Sequence, residues 1–226
     1  NTKMKSLNYQ TYYFVGIGGI GMSALARFVL MQGKTVYGFD ASATALTQEL
    51  EDMGMKIQYD ENTEIAKSLN PTDTMVVYTP AIPVENKVLA YFKAENFKCL
   101  KRAEFLGYIT KPTQCLAVAG THGKTTTSSI LAHLLVVANK PVSAFLGGIT
   151  ENYKSNFIYK GDEITVVEAD EYDRSFLQLQ PSIACINNTD ADHLDIYESK
   201  EAMQEALQDF AALVSDKKKL VHPLEL

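Results

Sequence analysis

Two short apolar runs, residues 12–17 and 35–39, flank a glycine cluster and a stretch in which Met22, Leu25, Ala26, Val29 and Leu30 recur at helical spacing. Strands joined by a helix cannot close as a hairpin. The crossover makes them parallel neighbours in a sheet covered on both faces, and this order of elements constrains the chain more than its composition does. The alternation continues with a helix at 44–53, an extended piece at 56–59, a helix at 63–69, a strongly apolar strand at 74–78 and a short helix at 103–109. The expectation is an α/β fold.

The glycine cluster is Gly16-x-Gly18-Gly19-x-Gly21, placed between the first strand and its helix, and Asp40 closes the second strand. Glycines there let a diphosphate approach the positive end of a helix, while a carboxylate at the next strand end can accept from a sugar hydroxyl. Such a Rossmann-like domain fits a UDP-sugar, NAD or FAD equally well. A tight turn capped by Asp40 is the plainer alternative.

A second turn of this kind follows the apolar run 115–119. It reads Gly120-Thr121-His122-Gly123-Lys124-Thr125-Thr126 and opens a helix over 126–137. Unpaired helix N–H groups, a lysine charge and a threonine hydroxyl for Mg²⁺ together suit a polyphosphate. The usual phosphate-loop pattern asks for glycine where Val118 stands, so the loop is a shortened one, and a tight turn with an exposed lysine is the competing reading. Further apolar strands at 164–169 and 182–187 and an amphipathic helix at 199–214 make this second half α/β as well.

Both of those strands run into acidic residues. Glu168-Ala-Asp170-Glu171-Tyr-Asp173 ends the first, where open α/β sheets place their ligands, and Glu168 is the leading candidate for a magnesium ligand. For Asp170 and Asp173 a solvated turn is an equal alternative. Asn187-Asn-Thr-Asp190-Ala-Asp192-His193-Leu-Asp195 ends the second, and there the three aspartates and the strand end favour a metal or phosphate role for His193 over a structural one. Three strand ends should then converge on one triphosphate and its metal.

Composition removes several classes. A net charge of −6 and the lack of a long Lys/Arg tract argue against broad nucleic-acid or anionic-membrane binding; Lys217 to Lys219 read as a solvated helix end. No apolar segment approaches the roughly 20 residues of a membrane span, and the first residues lack the order of a signal peptide, so a cytoplasmic protein is expected. The three cysteines, Cys99, Cys115 and Cys185, sit among apolar neighbours without a C-x-x-C pair and are read as packing residues.

Taken in order, GIGGIGMSALA, AVAGTHGKTTT, EADEYD and NNTDADHLD resemble the Mur ligase family over essentially the whole chain, and the shortened GTHGKT loop is that family's own form. The resemblance implies a UDP-sugar-binding domain at 1–111 and the N-terminal part of a P-loop ATP-binding domain at 112–226, truncated and without the family's third domain, so that the chain alone should not ligate. It implies ATP and Mg²⁺ as cofactors and UDP-N-acetylmuramate and L-alanine as substrates, with no nucleic-acid or membrane partner. Lys124, Glu168 and His193 become the catalytic candidates, Gly120 to Thr126 the phosphate cradle, and Thr125, Glu168 and His193 the metal ligands. Gly16, Gly18, Gly19, Gly21, Asp40, Thr79 and Arg102 become the UDP-sugar candidates. Within the family the rival is a member that adds a preformed murein tripeptide to the same nucleotide sugar. Outside it, an NAD-dependent oxidoreductase accounts for residues 12–40 but leaves GTHGKTTT idle, and a nucleotide-sensing protein without turnover is a third reading.

Overall fold

The computed structural model describes residues 7–170, 172–188 and 200–223. It divides into two compact units at Phe105/Leu106, within the last helix of the first run of elements.

The first unit runs β1 (Thr11–Val15), α1 (Ile20–Met31), β2 (Thr35–Phe39), α2 (Ala45–Asp52), β3 (Lys56–Gln58), α3 (Glu64–Ser68), β4 (Thr74–Tyr78), α4 (Lys87–Ala94), β5 (Lys98–Lys101) and α5 (Arg102–Thr110). Its five strands pair in parallel in the order β3-β2-β1-β4-β5. The chain leaves β1 to one side for β2 and β3, then crosses to the other side for β4 and β5, so the switch point lies between β1 and β4. Tyr12 and Tyr13 are adjacent on β1 and both have no exposure, which requires both faces of the sheet to be covered. On one face Tyr12 and Phe14 meet Phe105, with ring centroids 5.8 and 6.1 Å apart. On the other Tyr13 lies 4.7 Å from Phe92, within a cluster that includes Val15, Phe39, Val76, Val88 and Leu89. Burying a side chain such as Phe92 stabilises by about 2–3 kcal/mol. α4 and β5 carry little sequence signal: the helix is eight residues long and its strand has only two apolar positions, Cys99 and Leu100. Asn86 nevertheless starts α4 by accepting the N–H of Leu89 at 2.9 Å.

The second unit continues with β6 (Gln114–Ala119), α6 (Lys124–Val137), β7 (Val142–Thr150), β8 (Ser155–Tyr159), β9 (Ile164–Glu168), a 3₁₀ segment (Tyr172–Gln178), β10 (Ile183–Ile186), α7 (Lys200–Ala212), a second 3₁₀ turn (Lys217–Lys219) and β11 (Leu220–Val221). The sheet order is β11-β10-β6-β9-β7-β8, parallel except for the antiparallel β7/β8 edge. Sequence reasoning passed over β7 and β8, so the sheet is fuller than expected. The cause is visible: Gly147 and Gly148 interrupt the apolar run of β7, where the β7/β8 register breaks between Phe145 and Thr150. α6 packs Ala132 against Val142, Ala144, Leu146, Ile158 and Val166. Of the cysteines, Cys115 is buried and Cys99 and Cys185 are half-buried. Burial pushes the Cys115 thiol up to about 11, with hydrogen bonds to Thr165 and Thr110 working the other way. Among the described residues no helix is long and apolar enough to cross a membrane.

Candidate functional site

At the carboxyl edge of the first sheet, β1 delivers Gly16, β2 Asp40, β4 Thr79 and β5 Arg102, so all the UDP-sugar candidates named from the sequence gather around one switch point. Gly16 adopts φ +87°, and a Cβ there would stand 2.5 Å from Thr79 Cγ2, so glycine is required twice over. A Cβ on Gly21 would lie 2.6 Å from an Arg102 guanidinium nitrogen. Arg102 therefore rests on the first turn of α1, a cation added to the positive end of a helix, which is an arrangement suited to a phosphate. Asp40 makes the contacts of the capped turn that the sequence also allowed. Its Oδ2 accepts the Gly18 N–H at 2.8 Å and its Oδ1 accepts the Ser42 N–H at 3.3 Å, so the carboxylate braces the glycine turn.

The carboxyl edge of the second sheet carries the phosphate loop. Gly120 and Gly123 have φ of +122° and +74°, and Gly123 is the N-cap of α6, so the helix begins at Lys124 itself and not two residues later. Lys124 Nζ donates back to the carbonyls of Gly120 at 2.7 Å and Thr121 at 3.4 Å, folding the ammonium over the loop. Thr125 Oγ1 donates to Glu168 Oε1 at 2.9 Å, which joins the loop to the end of β9. The other carboxylate oxygen, Oε2, accepts the Gly147 N–H at 2.7 Å. A half-buried carboxylate beside a threonine hydroxyl is an all-oxygen pair, and it fits a hard cation such as Mg²⁺ that takes one or two protein ligands and completes its shell with phosphate and water.

The end of β10 clamps the loop. Asn188 Oδ1 accepts the Thr121 hydroxyl at 2.7 Å and the His122 N–H at 2.9 Å. Asn187 Nδ2 donates to the His122 carbonyl and to Thr127 Oγ1, both at 3.1 Å. Neither asparagine was assigned this work from the sequence, although both stand in the motif, and Gly147 was missed altogether; a glycine pair inside an apolar strand was the available signal for a close backbone approach. Thr126 is exposed on the first turn of α6, and Asp170 follows β9, its carbonyl accepting from Ser175 Oγ and Phe176 N. His193, with Asp190, Asp192 and Asp195, lies outside the described residues, as do Glu171 and the Asp173 side chain. Lys124, Thr125 and Glu168 are thus brought together, at the ends of two adjacent strands, with β10 bracing their loop.

The comparisons with known proteins point one way. Residues 11–113 match the Mur ligase family catalytic domain and residues 118–225 the Mur ligase middle domain. The chain is 49% identical over 221 residues to the UDP-N-acetylmuramate--L-alanine ligase of Christiangramia forsetii, covering 96% of this chain and 49% of that protein. It is 53% identical over 209 residues to the enzyme of the same name from Flavobacterium psychrophilum, covering 92% and 47%. The chain thus spans about half the length of the curated relatives it matches. Among solved structures, the UDP-N-acetylmuramate-alanine ligase of Thermotoga maritima superposes with a TM-score of 0.80 at 30% identity, covering 94% of this chain and 48% of that one. The UDP-N-acetylmuramate:L-alanyl-gamma-D-glutamyl-meso-diaminopimelate ligase of Neisseria meningitides gives 0.84 at 25% identity, covering 96% and 72%. With a glycine-turn Rossmann-like unit, a GTHGKT loop tied to Glu168, and consecutive domain matches across nearly its whole length, the chain belongs to the Mur ligase family.

Proposed function

We propose that this chain carries the UDP-substrate and ATP-phosphate sites of a cytoplasmic ATP-dependent ligase that joins L-alanine to the carboxylate of UDP-N-acetylmuramate for peptidoglycan precursor synthesis. The observation that carries the reading is the Thr125–Glu168 hydrogen bond of 2.9 Å, which couples the phosphate loop to a carboxylate at the neighbouring strand end and leaves oxygen donors side by side. A nicotinamide oxidoreductase has no use for that pairing.

A carboxylate resists attack by an amine because oxide would have to leave, and transfer of a phosphoryl group to it removes the obstacle. The amino group of alanine then attacks the acyl phosphate and inorganic phosphate departs. No protein nucleophile is needed, so the task of the chain is to hold two anions together and neutralise their repulsion. Lys124 supplies the charge beside the β- and γ-phosphates, and the first-turn N–H groups of α6, opened by Gly120 and Gly123, supply donors. Thr125 and Glu168 would hold Mg²⁺, with His193 assigned to the same ion by resemblance, and the bound ion supplies charge neutralisation on the phosphates. In the first unit Gly16 to Gly21 and Arg102 take the diphosphate, Thr79 lines the same turn, and Asp40 orders it.

Identity of 49% and 53% to two alanine-adding enzymes, against 25% to the tripeptide-adding one, favours alanine as the amino acid joined. Calorimetric titration tests the substrate assignment. UDP-N-acetylmuramate should bind at least about tenfold more tightly than UDP-N-acetylglucosamine, the equivalent of one charge-assisted contact to the lactyl carboxylate. Binding of NADH at comparable or higher affinity would overturn it.

A further inference from the structure

The Glu168 carboxylate is held from two sides, and only one of them belongs to the phosphate loop. Oε1 accepts from Thr125 Oγ1 at 2.9 Å, while Oε2 accepts from the backbone N–H of Gly147 on β7 at 2.7 Å. β7 and β9 pair in parallel up to Phe145 and Val167, so Gly147 lies just past the last paired residues, where its N–H turns from the β9 backbone to the side chain at the end of that strand. Any side chain at 147 would displace the carboxylate from this position. A Cβ built on Gly147 would stand 2.6, 2.7 and 2.8 Å from Glu168 Oε1, Cδ and Oε2, distances that real Cβ atoms do not reach. The neighbouring Gly148 is not constrained in this way, since its Cβ would lie 3.4 Å from Thr125 Cγ2, an ordinary contact.

From this geometry we infer that Gly147 is a positioning residue for the metal-bound nucleotide: its N–H and its missing side chain set the rotamer of Glu168 so that Oε1 stays beside the Thr125 hydroxyl. The inference rests on the reading of Thr125 and Glu168 as the magnesium-binding pair. A backbone donor costs no side-chain entropy, and this one follows two residues after the last β7/β9 pair, so the carboxylate is held in its working orientation before nucleotide arrives. With alanine at 147 the carboxylate must swing away, losing the Gly147 N–H and its place beside Thr125 together. The ammonium of Lys124, held by Gly120 and Thr121, is left where it was. The effect should therefore fall on metal dependence and spare the metal-free affinity for ATP.

The test is ATP binding to the 226-residue chain, measured by calorimetry across a magnesium titration and again in EDTA. For Gly147→Ala the magnesium concentration giving half of the affinity gain should rise at least about tenfold, with the EDTA affinity within about twofold of wild type, whereas Gly148→Ala should stay within about threefold on both. A spectroscopic measurement covers the case in which Gly147→Ala does not fold. In wild-type chain the Gly147 amide resonance should lie downfield, move on addition of MgATP and move in Glu168→Gln. A Gly147→Ala chain with wild-type magnesium dependence, or a Gly147 amide that ignores both MgATP and Glu168→Gln, overturns the inference while leaving the ligase reading intact. Wild-type ATP binding without any magnesium dependence overturns both.

Discussion

Asp40 Oδ2 accepts the backbone N–H of Gly18 at 2.8 Å, so the carboxylate at the end of β2 secures the glycine turn that follows β1. A Cβ on Gly18 would come 2.8 Å from the same oxygen, which shows how closely the turn is drawn in. Removing the acceptor strands a partly buried N–H, and Asp40→Ala should cost about 1 kcal/mol, a few degrees in the melting temperature of the unit, while Asp40→Asn should recover most of it. Scanning calorimetry checks this. Equal melting temperatures for wild type and Asp40→Ala would mean that the bond contributes nothing to the fold.

Lys124 folds its ammonium over the phosphate loop, anchored on Gly120 O at 2.7 Å. Lys124→Ala should lower the chain's ATP affinity at least about tenfold and reduce turnover of the whole protein about 10³-fold, the scale seen when a charge-stabilising group is removed from a reacting centre. Thermal stability should change little. Near-normal turnover in this variant would contradict its assignment.

The clamp from β10 predicts a different signature. Asn188→Ala leaves both the Thr121 hydroxyl and the His122 N–H without the oxygen that now serves them, and Thr121 is only 4% exposed. Stability should fall by about 1–3 kcal/mol and ATP affinity with it, and both should be partly recovered by Asn188→Asp, which keeps an acceptor oxygen. Combined melting and nucleotide titration would show the two losses moving together; loss of affinity with unchanged melting would point instead to a direct contact with nucleotide.

Cys115 gives a pH prediction whose sign is fixed by burial. Its thiol is pushed up to about 11 from an ordinary 9.0, so the folded chain keeps the proton after the unfolded chain has lost it. Stability from this group is constant below pH 9 and declines as pH rises from about 9 through about 11. At pH 8 Cys115 should resist alkylation in the native chain and react only under denaturant, as mass spectrometry of labelled peptides would show. Rapid native labelling would mean that β6 opens readily.

Much of the site was legible because its glycines, lysine and carboxylates sit at strand ends, where an alternating pattern of strands and helices predicts that ligands gather. β2 and β4 have the limits their runs suggest and β6 begins one residue earlier, at Gln114, since buried parallel strands are written as largely apolar sequence. The parts that escaped have physical reasons. α4 and β5 are short and weakly patterned, and β7 hides its strand character behind Gly147 and Gly148, which fall where the β7/β8 register breaks. The Asn188 clamp joins residues 66 and 67 positions apart, a pairing that depends on β10 lying beside β6 and leaves no trace in local spacing. Asp40 was found for its position, and its bond to the Gly18 N–H realises the capped turn that the sequence also allowed.

Everything proposed for the second unit requires Lys124, Thr125 and Glu168 to form one magnesium-triphosphate site. A crystal structure of the chain with Mg²⁺ and a non-hydrolysable ATP analogue tests it most directly. The terminal phosphates should lie within reach of Lys124 Nζ, with the ion bonded to Thr125 Oγ1 and the Glu168 carboxylate; a nucleotide seated away from residues 120–126, or an ion that touches neither Thr125 nor Glu168, would rule that site out.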